Sequence, residues 1–334
     1  MKKRWFGFLL AAVTTASMAF GAAGAEASVD EIMANYREAS KNVKEVSASV
    51  DMDADVQLSA EGQTIVAVTG NAKMNVACTL DPLAVETTAS MSGNMQAFGG
   101  QEESGSFDMT MYMLPDEEGT IVTYVGMDMG QGLEWMKQAL DEATSKQLMD
   151  MIAQAGTAEM PDIPVAFTLA DTHTDVNGTE CYCLNATLTV EDILNVLTTV
   201  MEQYKDQIPA EVAGQIPDAE TLQMVGSMLS GLKFNIEMDI ATESYLPMHL
   251  HIDMEGSDWV TLSAIVAAAL SEGAGEGEEL PSMSIDVNSL YMDYVYDYSN
   301  PVEIVVPDYV IANAQDAGDL SEYSEMLETL ESEF

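Results

Sequence analysis

Positive charge is what this 334-residue sequence has least of, with 11 Lys and Arg against 56 Asp and Glu. A field of that sign repels nucleic acid and anionic lipid headgroups, so polyanions are excluded as partners. High solubility and loose attraction of divalent cations are what it favours. Histidine is scarce as well: His173, His249 and His251 are the whole complement. In His249-Leu250-His251 the two imidazoles project from one strand face, where a pair can hold a metal. No third ligand accompanies them at a suitable spacing, and solvent-facing strand residues beside Asp253 account for the pair equally well. No metal or cofactor is therefore expected. Cysteine is limited to Cys78, Cys181 and Cys183, an odd count that precludes complete pairing. Cys181 and Cys183 sit two apart in a strand-like run, where a bridge between them would be strained. Three buried small apolar residues is one reading, and Cys78 bridged to one of the pair is the other.

The signatures of common chemistry are missing too. Ser or Cys nucleophiles need a base held by a third group, and neither a G-x-S-x-G elbow nor a Cys-His signature is present. Gly99-Gly100 and the run from Gly273 to Gly277 lack the Lys or helix start of a phosphate loop. The acidic runs do not carry the spacing of a calcium loop. Carboxylate pairs abound through number alone, so glycosidase-like pairing carries no weight. A non-enzymatic protein is predicted.

Only one long apolar run exists, Trp5 to Phe20, preceded by Met1-Lys2-Lys3-Arg4 and followed by Ala23-Gly24-Ala25-Glu26-Ala27. That order reads as a secretory signal peptide over residues 1–27, cleaved near Ala27. The run is shorter than the ~20 residues of a membrane span and is diluted by Thr14, Thr15 and Ser17. No Cys follows it to receive a lipid, and no second span is present. A secreted or extracytoplasmic protein without stable membrane insertion is expected. Removing Lys2, Lys3, Arg4 and Glu26 leaves 8 basic and 55 acidic residues, a net charge near −47. Even so, 47% of the residues are hydrophobic, which a disordered acidic chain would lack.

What is present is a clear pattern. Ser28-Val29-Asp30-Glu31 is a capping box, and Val29, Ile32, Met33, Tyr36, Ala39 and Val43 follow at helical spacing. From Val46 the period becomes two: Val46, Ala48, Val50, Met52, Ala54 and Val56 alternate with Ser and Asp. Strands are predicted from Ile65 to Leu80, Leu83 to Met95, Ser106 to Leu114 and Thr120 to Met127, a meander of antiparallel neighbours. Pro115 to Gly119 and Asn177-Gly178 mark hairpin turns. Helices are predicted over 132–155, from the cap Thr189 through Tyr204, and from Pro217 to Gly231. A strand through Phe167 and Leu169 and another from Cys181 to Leu188 lie between the first two. Strands resume at Leu232 to Ile240, Tyr245 to Met254, Val260 to Leu270 and Met283 to Tyr298. For Val260 to Leu270, the alanines leave a helix as the alternative.

Methionine is the oddest abundance, at 25 residues. Thioethers line adaptable apolar surfaces that accept varied ligands, or they simply fill a core. Met136, Met149, Met151, Met224 and Met228 all fall on the predicted helices.

An N-terminal helix, a long meander, inserted helices and a β return resemble the LolA/LppX-type fold of bacterial envelope proteins. The likeness extends to uncharacterised secreted LolA-like proteins of Firmicutes. It rests on Ala34-Asn35-Tyr36-Arg37-Glu38-Ala39-Ser40 before the first strand, on Asp175-Val176-Asn177-Gly178-Thr179 leading to Cys181-Tyr182-Cys183-Leu184, on Tyr245-Leu246-Pro247, and on Tyr296-Asp297-Tyr298-Ser299-Asn300. The resemblance implies an α+β fold: a large curved antiparallel sheet, or half-barrel, with helices on its concave face, plus the N-terminal helix. It implies a single domain over 28–311; beyond it, Leu320, Tyr323, Met326, Leu327 and Leu330 at helical spacing among acidic residues predict a terminal helix or tail over 312–334. In relatives the space between sheet and helices takes lipid or acyl chains. Here the helix faces of Trp135, Met136, Leu140, Met151, Leu197, Met201, Met224 and Met228 would line it. The expected function is thus binding of a lipid or other apolar small molecule. The alternative is an acidic interaction or sensor module with a filled core.

Overall fold

The computed structural model describes residues 27–97, 103–128, 132–146, 149, 165–195, 198, 226–227, 229–271, 282–300 and 302–316. Helix α1 (Val29–Ser40) begins where the capping box places it, the Ser28 hydroxyl accepting the Glu31 N–H at 3.2 Å. Six strands follow: β1 (Glu45–Ala60), β2 (Gln63–Leu80), β3 (Leu83–Ala97), β4 (Glu103–Pro115), β5 (Ile121–Asp128) and β6 (Glu134–Ala139). Each pairs antiparallel with the next. The turns carry the residues such turns demand. Glu61-Gly62 and Asn177-Gly178 take positive φ at both central positions. Asp116 accepts from the N–H groups of Glu118 and Thr120, both at 2.9 Å.

The second half holds β7 (Thr168–Leu169), β8 (Thr174–Val176), β9 (Thr179–Thr189), β10 (Lys233–Ala241) and β11 (Pro247–Asp253). Helix α2 (Trp259–Ser271), β12 (Met283–Asp297), α3 (Asp308–Asn313) and β13 (Gln315–Asp316) complete it. β12 makes one sheet of the two halves, because it pairs with β11 on one side and with β1 on the other. The result is a large open mixed sheet of 13 strands, ordered β13-β6-β5-β4-β3-β2-β1-β12-β11-β10-β9-β7 with β8 on β9. β13 joins β6 in parallel. The open sheet with few helices fits a half-barrel. β2, at 18 residues, is about 60 Å long.

Residues paired across a ladder share a face, so the register sorts the whole sheet into two sides. On one side Val50, Met52, Met74, Met109, Met238 and Tyr294 make an apolar face. On the other, Asp51, Lys73, Ser90 and Asp108 stand in one row, with a Lys73–Asp51 ion pair at 2.8 Å. Among the described residues, the apolar face is closed at two places. α1 buries Ile32, Met33 and Tyr36 against Leu184, Met238 and Ile240. Cys78, Leu83, Val85 and Ile121 form a second cluster, with Leu140 packed against it. A third cluster lies on the polar side: Tyr112, Tyr124 and Trp135 sit beneath Val306 and Val310 of the chain's return.

Two predicted elements are corrected. Residues 134–139 of the expected 132–155 helix are strand β6, and among the described residues of that span helix appears at 142–146 and 149. The spacing of Leu133, Met136 and Leu140 mimicked a helical stripe, but β6 uses both faces. Met136 points to the apolar side, and Trp135 points to the polar side, opposite Gly126. A Cβ on Gly126 would sit 2.9 Å from the Trp135 ring. The chain turns helical only after Asp141, whose carboxylate takes the Thr144 N–H at 2.9 Å and hydroxyl at 2.7 Å. Second, Val260 to Leu270 is not a strand but lies within α2. Asp258 caps it by accepting the Thr261 N–H at 3.0 Å, and the alanines favour helix over the β-branched Val260 and Thr261. α2 also fills the place that β11 leaves empty beside β12, since Ser263 accepts the Ile285 N–H at 2.8 Å.

The cap at Thr189 is present, the hydroxyl of Thr189 accepting the Asp192 N–H at 3.2 Å. Helix continues over 190–195, but half of that element and most of the predicted 217–231 helix lie outside the described residues. Past Asn313 the chain adds β13 to the sheet, and 317–334 likewise lie outside them. Cys78, Cys181 and Cys183 are all free and buried.

Candidate apolar binding face

Between the two closed regions the apolar face runs on across six strands. One rung reads Ile252, Met292, Met52, Ala72, Met91 and Phe107 from β11 to β4. Its neighbour reads Leu250, Tyr294, Val50, Met74, Ala89 and Met109. At ~4.8 Å per strand, the stretch from β12 to β4 is on the order of 20 Å wide. Met52, Met74, Met109 and Met292 are half-buried, whereas Met91 is 50% exposed. The two-residue period of each strand builds this surface: in every strand the methionines fall on the side that the neighbouring strand also makes apolar.

The border toward α1 is aromatic. Tyr294, Tyr296 and Tyr298 stack along β12 with ring centroids 6.4 Å apart at each step. The Tyr294 hydroxyl donates to the Met292 sulfur at 3.0 Å. Burial, together with Tyr36 of α1, holds the Tyr296 and Tyr298 phenols well above their ordinary pKa. These hydroxyls stay neutral, and the surface carries no charge along that border.

Of the residues expected on helix faces, Met136 lies on the apolar face at β6 and Leu140 packs on the Cys78 cluster. Trp135 lies on the opposite face, stacked on Tyr112 at 6.1 Å and edge-on to Tyr309 at 6.3 Å. Met151, Leu197, Met201, Met224 and Met228 lie outside the described residues. The strand methionines Met52, Met74, Met91, Met109 and Met292 were missed. Their signal was in the sequence, since each occupies the apolar phase of a predicted strand.

The polar face carries the paired histidines and carboxylates of β10 to β12. His249 bridges two carboxylates, with Nδ1 2.8 Å from Asp239 and Nε2 2.6 Å from Asp293. The bond to Asp239 raises its pKa to about 9, against burial and with help from Asp293. His251 lies 3.3 Å from Asp293 and 3.4 Å from Asp253. A groove of about 550 Å³, lined by Asp53, Asp55, Asn71, Ser92 and Ser106 among others, runs over β1 to β4 beside Ser289 of β12.

A family model matches residues 28–315 and describes a family of unknown function, DUF6612. The chain belongs to the DUF6612 family. No curated protein matches it in sequence. Among solved structures, it is similar to the Mycobacterium tuberculosis lipoprotein LppX, at 10% identity and a TM-score of 0.32, covering 83% of this chain and 100% of that one. A β-barrel-like DUF1849 protein from Brucella abortus aligns at 9% identity and a TM-score of 0.24, over 76% and 97% of the two chains. A DUF1329 protein from Desulfovibrio piger aligns at 8% identity and a TM-score of 0.20, over 80% and 91%. Among the described residues, no helix is long and apolar enough to cross a membrane.

Proposed function

We propose that this DUF6612 chain is a non-enzymatic, extracytoplasmic binding protein. It holds an acyl chain or another apolar group against the methionine-rich middle of its sheet. The observation that carries the reading is the pair of rungs from β11 to β4, apolar in every position and for the most part only half-buried, with Met91 50% exposed. A folded protein rarely leaves so continuous an apolar row without a use. Binding would take CH₂ groups out of water, at ~0.8 kcal/mol for each one fully buried. Thioether side chains adjust to the ligand's shape, so a family of acyl groups rather than one compound fits such a surface. The acidic exterior repels anionic membrane surfaces and keeps the loaded protein in solution.

The test is titration of a fluorescent fatty acid into the purified protein, with native mass spectrometry of the same preparation. The expected result is a probe signal displaced by unlabelled fatty acid, and weakened at least tenfold by Met91→Asp while circular dichroism stays unchanged. A silent probe together with a native mass equal to the polypeptide alone would overturn the reading.

A further inference from the structure

The His249-Leu250-His251 pair lacked a third ligand in the sequence, and the ladder supplies different neighbours. One rung on the polar face sets Cys183 of β9, Asp239 of β10 and His249 of β11 side by side. Glu237 stands two residues along β10 on the same face. One ligand atom each from Cys183, Glu237 and Asp239 lie within 4.8 Å of one another.

This is not a solvated acidic patch, because Cys183 is 5% exposed and Asp239 only 2%. The Asp239 carboxylate is also held from outside the cluster. The Thr174 hydroxyl donates to Oδ1 at 2.5 Å and His249 Nδ1 meets Oδ2 at 2.8 Å. Each carboxylate oxygen has a second lone pair, so both stay free to bind toward Cys183 and Glu237. Outer partners of this kind fix the orientation of metal-ligating carboxylates. His249 is itself anchored by Asp293, 2.6 Å from Nε2, and the Asn185 amide donates to the Cys183 sulfur at 3.5 Å.

We propose that Cys183, Glu237 and Asp239 form a binding site for a divalent cation of the zinc class, with His249 and Thr174 as positioning residues. One sulfur and two oxygens supply three ligands and leave a fourth position for water or a partner group. The sulfur selects against calcium and magnesium, which take oxygen ligands. Loading displaces the thiol proton to solvent and draws the three ligand atoms inward by roughly an ångström. Glu237, half-buried with a long side chain, is the ligand best able to move.

The test is titration of Co²⁺ into the intact chain, read as the thiolate-to-cobalt charge-transfer band. The expected result is one equivalent of band, displaced by Zn²⁺ and retained in excess Ca²⁺. C183S should remove the band and C181S, at the other buried thiol of β9, should keep it. E237Q should weaken Co²⁺ binding tenfold or more. Because serine at the buried position 183 can impair folding, thermal unfolding supplies a second readout, with Zn²⁺ raising the midpoint more for wild type than for E237Q. Absence of the band in wild type, its survival in C183S, its displacement by Ca²⁺, or equal Zn²⁺ shifts for wild type and E237Q would each overturn the site. None of these readouts depends on the apolar face.

Discussion

Two regions of one apolar face differ in how deeply they are buried. Beneath α1, Leu184 and Ile240 are fully buried and Met238 is 4% exposed. At mid-sheet, the same alternation of the same residue types leaves Met52, Met74 and Met109 half-buried and Met91 50% exposed. A strand therefore decides which side is apolar, but an element distant in sequence decides whether that side becomes core. Stability should reside under α1, and binding capacity where the face stays open.

The strongest way to break that comparison is Tyr36→Ala. Tyr36 is 1% exposed at the centre of the α1 cluster, and removing its ring should cost about 3–5 kcal/mol in a urea unfolding series. A loss no larger than that of a mid-sheet methionine would show that α1 is not the anchor.

The second is electrostatic. His249→Ala removes the cation between Asp239 and Asp293 and leaves Asp239, at 2% exposure, without its counter-charge. For a fully buried pair the penalty is ~3–5 kcal/mol, and the partly exposed ring lowers the expectation to about 2–3 kcal/mol at pH 7 in chelator-treated buffer. The folded-state pKa is raised from 6.5 to about 9. The stabilisation is therefore fully present below 6.5 and lost as pH rises through about 9. Wild type and variant should converge in stability near pH 10, and a gap independent of pH would refute the ion pair.

A third probe tests the backbone of the open region. Gly70 and Gly93 pair across β2 and β3, and a Cβ on Gly93 would lie 2.8 Å from the Thr69 carbonyl oxygen and 3.3 Å from the Gly70 Cα. Gly105 is the next residue in that row, and a Cβ added there would meet nothing within 4 Å. Gly93→Ala should destabilise by roughly 1–3 kcal/mol, because two backbones must part, whereas Gly105→Ala should fall within about 0.5 kcal/mol. Equal effects would mean that close strand approach at Gly93 is not a constraint.

Much of this architecture was legible because it is local. The cap at Ser28, the alternation of β1 and the Asn177-Gly178 turn each depend on residues only a few positions apart. The pairing of β1 with β12 does not: Ser47 bonds the backbone of Asp297, 250 residues away. That pairing converts two meanders into one sheet. β6 and α2 were misread because a short stripe of Leu133, Met136 and Leu140, or of Val260 and Ile265, satisfies either period until tertiary partners choose. The site was less legible than the fold. Met52 and Met74 were visible in their own strands, but their contiguity with Met91, Met109 and Met292 exists only once the ladder is known.

The smallest expected effect on stability sharpens the comparison most. Met91→Ser should change unfolding free energy by no more than about 0.5 kcal/mol, since half the side chain already meets water. Ligand linkage then separates the two roles of the face. A fatty acid at 100 times its Kd should stabilise wild type by about 2.7 kcal/mol, and the same concentration should stabilise Met91→Ser by less. A tenfold weaker Kd would lower that gain to about 1.4 kcal/mol, within the resolution of paired urea series. If ligand stabilised Tyr36→Ala less than wild type but left Met91→Ser unaffected, the ligand would sit under α1, and mid-sheet would be exposed surface without a binding role.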